Sequence, residues 1–103
     1  MSTLPSPSPL TPAPPNVGLS SIQVAPVNLT RLGLYVFNPS ASVTIWIAPL
    51  GTPATATGVG SIAVQPLQGV MLGPPTMPTP WTNGLNAVYA SGSGVISILE
   101  FYP

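Results

Sequence analysis

From about residue 19 onward, apolar side chains recur at every second position, in short runs broken by Gly and Pro. The breaks come roughly every ten residues, and no window carries a convincing 3.6-residue period. A side-chain period of two is that of a strand with one face buried. This pattern restricts the chain to an all-β fold: a small β-sandwich or barrel of six to eight short strands.

The strands can be read off the alternation. Ile22 and Val24 alternate with Ser21 and Gln23. Residues 31–37 set Leu32, Leu34 and Val36 on one face and Tyr35 and Phe37 on the other. Residues 43–47 set Val43, Ile45 and Ile47 against Thr44 and Trp46. The turn residues at 38–42 between these two runs predict a β-hairpin. Shorter runs follow at 61–65, 70–72, 86–90 and 95–101, separated by a small-residue loop at 50–60 and turns at 66–69, 73–80 and 91–94. Asn83-Gly84 adds a turn signal.

Residues 1–18 are different in kind. Pro stands at positions 5, 7, 9, 12, 14 and 15. Proline has no amide donor and forces its predecessor into extended geometry, so this segment is expected to be an extended arm outside the sheet. It reads either as a disordered tail or as an arm lying along a neighbouring subunit. A proline-rich ligand of the SH3 type normally carries a flanking basic residue, and none is present. The division expected is an arm at 1–18 and a β-sandwich domain at 19–103, with about 85 residues for one modest core.

Charge is almost absent. Arg31 and Glu100 are the only charged side chains, and His and Cys are missing. That composition excludes Cys/His metal sites, disulfides and thiol nucleophiles. It leaves no base to activate a serine and too few cations to neutralise nucleic-acid phosphates. The expectation is a chain that is not an enzyme, with no cofactor, no metal and no nucleic-acid partner. A single carboxylate also falls short of the pair that glycoside cleavage uses. Arg31 opens an early strand and Glu100 lies near the end of the last, which suggests a structural cross-strand ion pair. No run is long and apolar enough for a membrane helix, and the opening MSTLPSPSPL lacks the charged and apolar regions of a secretory signal. Asn28-Leu29-Thr30 matches a glycosylation sequon and is read as accidental.

Two readings of the aromatics compete. Trp46, Trp81 and Tyr89 can plug the sandwich or a subunit interface, as aromatics commonly do. Alternatively they can stack on sugar, with Trp81 beside Asn83 and Asn86 the best candidate. Soluble domains normally keep a charged surface. A chain with 2% charged and 45% apolar residues is therefore expected to bury much of its exterior in an assembly.

The cadence from about residue 31 to 101 runs Arg31-Leu-Gly-Leu-Tyr-Val-Phe-Asn-Pro-Ser40, Val43-Thr-Ile-Trp-Ile47, Trp81-Thr-Asn-Gly84 and Ile98-Leu-Glu-Phe101. It resembles the small β-sandwich virion-associated proteins of tailed bacteriophages, of the type that decorate the capsid. The resemblance implies a non-enzymatic structural protein located in a virion. Its partners would be the major capsid protein or other virion subunits and further copies of itself. The alternative is a fibre-tip or receptor-binding module that holds carbohydrate.

Overall fold

The computed structural model describes residues 6–11, 13–74 and 76–103. Among the described residues the chain is all-β, with eight strands and no helix. The strands are β1 (Ser6–Pro9), β2 (Ile22–Ala25), β3 (Gly33–Phe37), β4 (Ile45–Pro49), β5 (Ile62–Val64), β6 (Gly69–Leu72), β7 (Leu85–Tyr89) and β8 (Ser97–Tyr102). They form two four-stranded antiparallel sheets, ordered β1-β8-β3-β6 and β2-β7-β4-β5.

The order has a simple logic. β4 pairs with β5, β3 with β6, β2 with β7 and β1 with β8. The chain is a long hairpin folded at the β4–β5 turn and wrapped into two layers, which is the jelly-roll arrangement. One continuous apolar core joins the layers through Leu34, Val36, Leu72 and Ile98 of the first sheet and Ile45, Ile47, Val64, Leu85 and Ala87 of the second.

Two expectations are corrected. The runs at 31–37 and 43–47 do form strands, yet β3 and β4 lie in different sheets and are not a hairpin. The connection crosses between layers on Asn38, which is fully buried. Its Nδ2 donates to the carbonyls of Val43 (2.7 Å) and Val64 (2.9 Å), and its Oδ1 accepts from Ser40 N. These bonds hold the turn open across the end of the sandwich.

The second correction concerns the arm. Residues 1–5 lie outside the described residues. The rest is extended, as expected, but belongs to the sandwich. Ser6–Pro9 pairs with β8, Leu10 and Val17 are buried in the core, and Val17 bridges to Gly94. Proline is tolerated because β1 is an edge strand. Leu10 N donates to Ile98 O at 3.1 Å. In an antiparallel pair, hydrogen-bonded and non-bonded positions alternate. Ser8, opposite Glu100, therefore points its amide at β8, while Pro7 and Pro9 turn their nitrogens away. The Pro-Ser alternation matches the alternation that an edge strand requires.

A bulge in β2 shifts register between Gln23 and Ala25. It turns both Val24 and Ala25 inward and leaves Ile22 exposed, against the simple alternation of Ile22 with Val24.

Candidate functional site

Arg31 and Glu100 meet inside one end of the sandwich. Arg31 lies just before β3 and Glu100 on the inward side of β8, where the register sets it beside Leu34. Arg31 Nη1 is 2.8 Å from Glu100 Oε2, with the two residues 1% and 5% exposed. The rest of the guanidinium is spent on backbone. Nε donates to Trp81 O at 3.1 Å, and Nη2 donates to Pro26 O (2.9 Å) and Asn83 O (2.6 Å). One side chain thus ties together the segments before β3, after β2 and before β7.

Glu100 is equally engaged. Tyr102 OH donates to Oε1 at 2.8 Å and Asn28 Nδ2 to Oε2 at 3.3 Å. Burial by itself would raise this carboxyl. Hydrogen bonds from Arg31, Tyr102 and Asn28, with the Arg31 charge, outweigh burial and hold it below the ordinary carboxylate range. The same bond to Glu100, followed by burial, raises the Tyr102 phenol. A carboxylate kept ionised and accepting from three donors is a fastener rather than a proton acceptor in waiting. The Asn28 amide of the sequon is used here too, since Nδ2 also donates to Tyr102 OH at 3.0 Å.

The aromatics separate. Tyr89 is 4% exposed and sits in the main core, with its hydroxyl donating to Val95 O at 2.7 Å. Burial raises that phenol. The suggestion that Tyr89 stacks on sugar is corrected: its ring is inside the sandwich and only borders a shallow hollow of about 420 Å³ with Pro39, Val43 and the 91–95 turn. Trp46 is half-buried on the outward side of the second sheet against Ala48, Ala54 and Val88. Trp81 packs half-buried on the main core, and its indole N–H is buried without a partner. The neighbouring amides are partly engaged within the fold: Asn86 Nδ2 donates to Thr52 O at 2.9 Å and Asn83 Nδ2 to Leu50 O at 3.5 Å.

The two sheets differ on their outward sides. The second sheet is covered by its own 50–61 loop. Ala54 N donates to Ser21 Oγ, Asn86 holds Thr52 O, and Ala54 joins the Trp46 cluster. The first sheet carries outward rows of Pro7, Phe101 and Gly33, then Pro9, Leu99, Tyr35 and Met71, then Ser97, Phe37 and Gly69. Ser97 and the Tyr35 hydroxyl are the only polar side-chain groups in those rows. The Tyr35 ring lies over Gly69 and the Met71 methyl over Gly33, where a β-carbon on either glycine would collide. The two glycines let these side chains lie down and flatten the face.

Sequence reasoning placed Tyr35 and Phe37 on one strand face but did not single this surface out. The available signal was that both faces of residues 32–37 are apolar and that Leu99 and Phe101 fall on one face of the last strand. It also missed Asn38, which read as a turn residue only.

No family model, curated protein or solved structure matches the chain.

Proposed function

We propose that the chain is a non-enzymatic structural subunit of a virion, a capsid decoration or cement protein that works by burying apolar surface between subunits. The observation that carries this reading is that the only two charged side chains neutralise each other inside the fold. The exterior left behind carries no charged side chain. It exposes Leu19, Val27, Leu29, Val59, Leu67 and Val95, and Tyr35, Phe37, Leu99 and Phe101 on the outward side of the first sheet are half-buried. Soluble domains that work alone rarely present such a surface.

Burying apolar area contributes about 25 cal/mol per Å², against which association costs several kcal/mol. Repetition over many identical sites adds avidity. An uncharged interface is insensitive to salt, which suits a particle that meets changing ionic strength. Jelly rolls occur among viral shell proteins and lectins alike, so the architecture is compatible with this reading without selecting it. The partners proposed are the major capsid protein or other virion subunits, together with further copies of this chain.

The test is the copy number of the chain in purified particles, counted by quantitative mass spectrometry. A number comparable to that of the coat protein is expected. A handful of copies per particle would point to a fibre tip, and absence from particles would refute the virion role.

A further inference from the structure

We infer that Asn83–Gly84 is a self-modification site: the Gly84 amide nitrogen closes on the Asn83 carboxamide, with Arg31 assisting, and residue 83 becomes a carboxylate. Asn83 is the asparagine that precedes a glycine, whereas Asn16, Asn28, Asn38 and Asn86 precede Val17, Leu29, Pro39 and Ala87. Glycine hinders ring closure least, because no β-carbon crowds its nitrogen. The fold itself demands glycine at this position, since a β-carbon on Gly84 would collide with Ala25 O.

Three contacts prepare the pair. First, the Asn83 side chain curls over the next amide, and Gly84 N donates to Asn83 Oδ1 at 2.8 Å. Nucleophile and electrophile are therefore held together before they react, and the bond draws electron density away from Cγ. Second, Arg31 Nη2 donates to Asn83 O at 2.6 Å. That oxygen belongs to the same peptide group as Gly84 N, and resonance joins the two atoms. When Gly84 N loses its proton, negative charge spreads onto Asn83 O, where the guanidinium already sits in a charge-assisted bond. The one cationic side chain of the molecule thus rests on an atom where charge develops. Glu100, on Nη1, shares that cation and is the only other charged side chain. Third, the leaving group is loosely held, since Asn83 Nδ2 reaches Leu50 O only at 3.5 Å. Asn83 is half-buried, so water can reach its carboxamide.

Hydroxide or water takes the Gly84 N proton, and the nitrogen forms a bond to Asn83 Cγ. The Cγ–Nδ2 bond then breaks, and Nδ2 leaves as ammonia with a proton from water. Water adds to the resulting cyclic imide at either carbonyl. Cleavage of the new N–Cγ bond gives aspartate. Cleavage of the original peptide bond gives isoaspartate, with the backbone running through Cγ. No oxidant or reductant is needed. Either product turns a formal net charge of zero negative. In the isoaspartate, the carboxylate is made from the very carbonyl that Arg31 holds, so isoaspartate is the expected major product.

The experiment incubates the purified full chain in mildly alkaline buffer, folded or unfolded in urea, and follows chymotryptic peptides that contain residue 83 by mass spectrometry. Amide-to-acid conversion gives the rate, and labelling by an isoaspartyl methyltransferase identifies the product. One preorganised donor to a developing oxyanion is worth about 10²–10³ in rate; because Glu100 shares Arg31, about tenfold faster conversion is expected in the folded chain than in the unfolded one. Asn86, which precedes Ala87, serves as the internal control and should remain an amide over the same time. Arg31→Met, if circular dichroism shows it folded, should lose the acceleration, whereas mere loosening of the turn would speed conversion. If Arg31→Met does not fold, the ratio of folded to unfolded wild-type rates decides alone. Conversion no faster in the folded chain, equal conversion at Asn86, or a folded Arg31→Met that converts as fast as wild type would each overturn the inference. The assay uses no particle, so its failure is distinct from absence of the chain from virions.

Discussion

Arg31 and Glu100 lie 69 residues apart in the chain and meet at 2.8 Å in the interior, where they join the start of β3 to the end of β8. Breaking a buried pair by removing one partner costs about 3–5 kcal/mol. The two residues are not equivalent. Arg31→Met also strands the carbonyls of Pro26, Trp81 and Asn83, whereas Glu100→Gln keeps an acceptor for Arg31. Chemical denaturation should find Arg31→Met the more destabilising, by about 1–3 kcal/mol for the stranded acceptors. The double variant should cost less than the two singles added. Additive costs would mean that the pair does not act as a unit.

Stability should be flat across neutral pH and fall only at the extremes. Glu100 is the only side-chain carboxylate, and its folded value lies below the ordinary 4.5. Its contribution is complete above 4.5 and is lost as pH falls through the lower folded value, with a slope of at most about 1.4 kcal/mol per pH unit for one proton. Tyr102 is raised above 10.0, so its contribution holds below 10 and is lost as pH rises through the folded value. Thermal melts between pH 2 and 11, a range that spans the ordinary carboxyl and phenol values, check this. A steep transition near pH 6–7, where histidine titrates, would contradict it.

The N-terminal segment should be required for folding. A chain beginning at Gly18 loses β1 and two buried side chains, Leu10 and Val17, and its β-sheet circular dichroism should be lost or much weakened. Leu10→Ala alone should cost about 2–5 kcal/mol. The register makes a sharper test. Pro7→Ser and Pro9→Ser should be close to neutral, because those nitrogens face away from β8. Ser8→Pro removes a ladder donor and should cost about 1–3 kcal/mol for the acceptor left without it. Equal effects at positions 7 and 8 would refute the pairing.

Leu67 should be a site of stored strain. Gln68 N donates to Gln65 O at 3.1 Å across Pro66 and Leu67, and Leu67 has φ of 58°. Proline followed by a positive φ is the type II pattern, whose second corner favours glycine. Left-handed geometry costs an ordinary residue about 1–2 kcal/mol, and the exposed Leu67 side chain returns little burial. Leu67→Gly should stabilise by roughly 0.5–1 kcal/mol once glycine's extra chain entropy is counted. A loss in midpoint denaturation would show that the side chain contributes after all.

Much of the architecture was legible in the chain because strand periodicity is a local property. The alternation of Leu34, Val36 and Ile98 with Tyr35, Phe37 and Leu99 depends only on neighbours one and two residues away. The same holds for the breaks at Gly and Pro. Two lone opposite charges in an apolar chain also named their own partner, since burying either one unpaired is prohibitive.

What only the tertiary structure decided is non-local. Which strands pair depends on wrapping the whole chain, so the turn at 38–42 reads as a hairpin until the buried Asn38 amide is seen spanning Val43 and Val64. Proline's exclusion from sheets is a rule about donors that face a partner. Whether Pro7 and Pro9 break it depends on which way their nitrogens point, and that is set by β8, some ninety residues away. An apolar period of two shows that a strand has a buried face. It does not show which outward faces the molecule packs with its own loops, and here Ala54 of the 50–61 loop joins Trp46 on the second sheet while Tyr35, Phe37 and Leu99, also half-buried, share the outward face of the first.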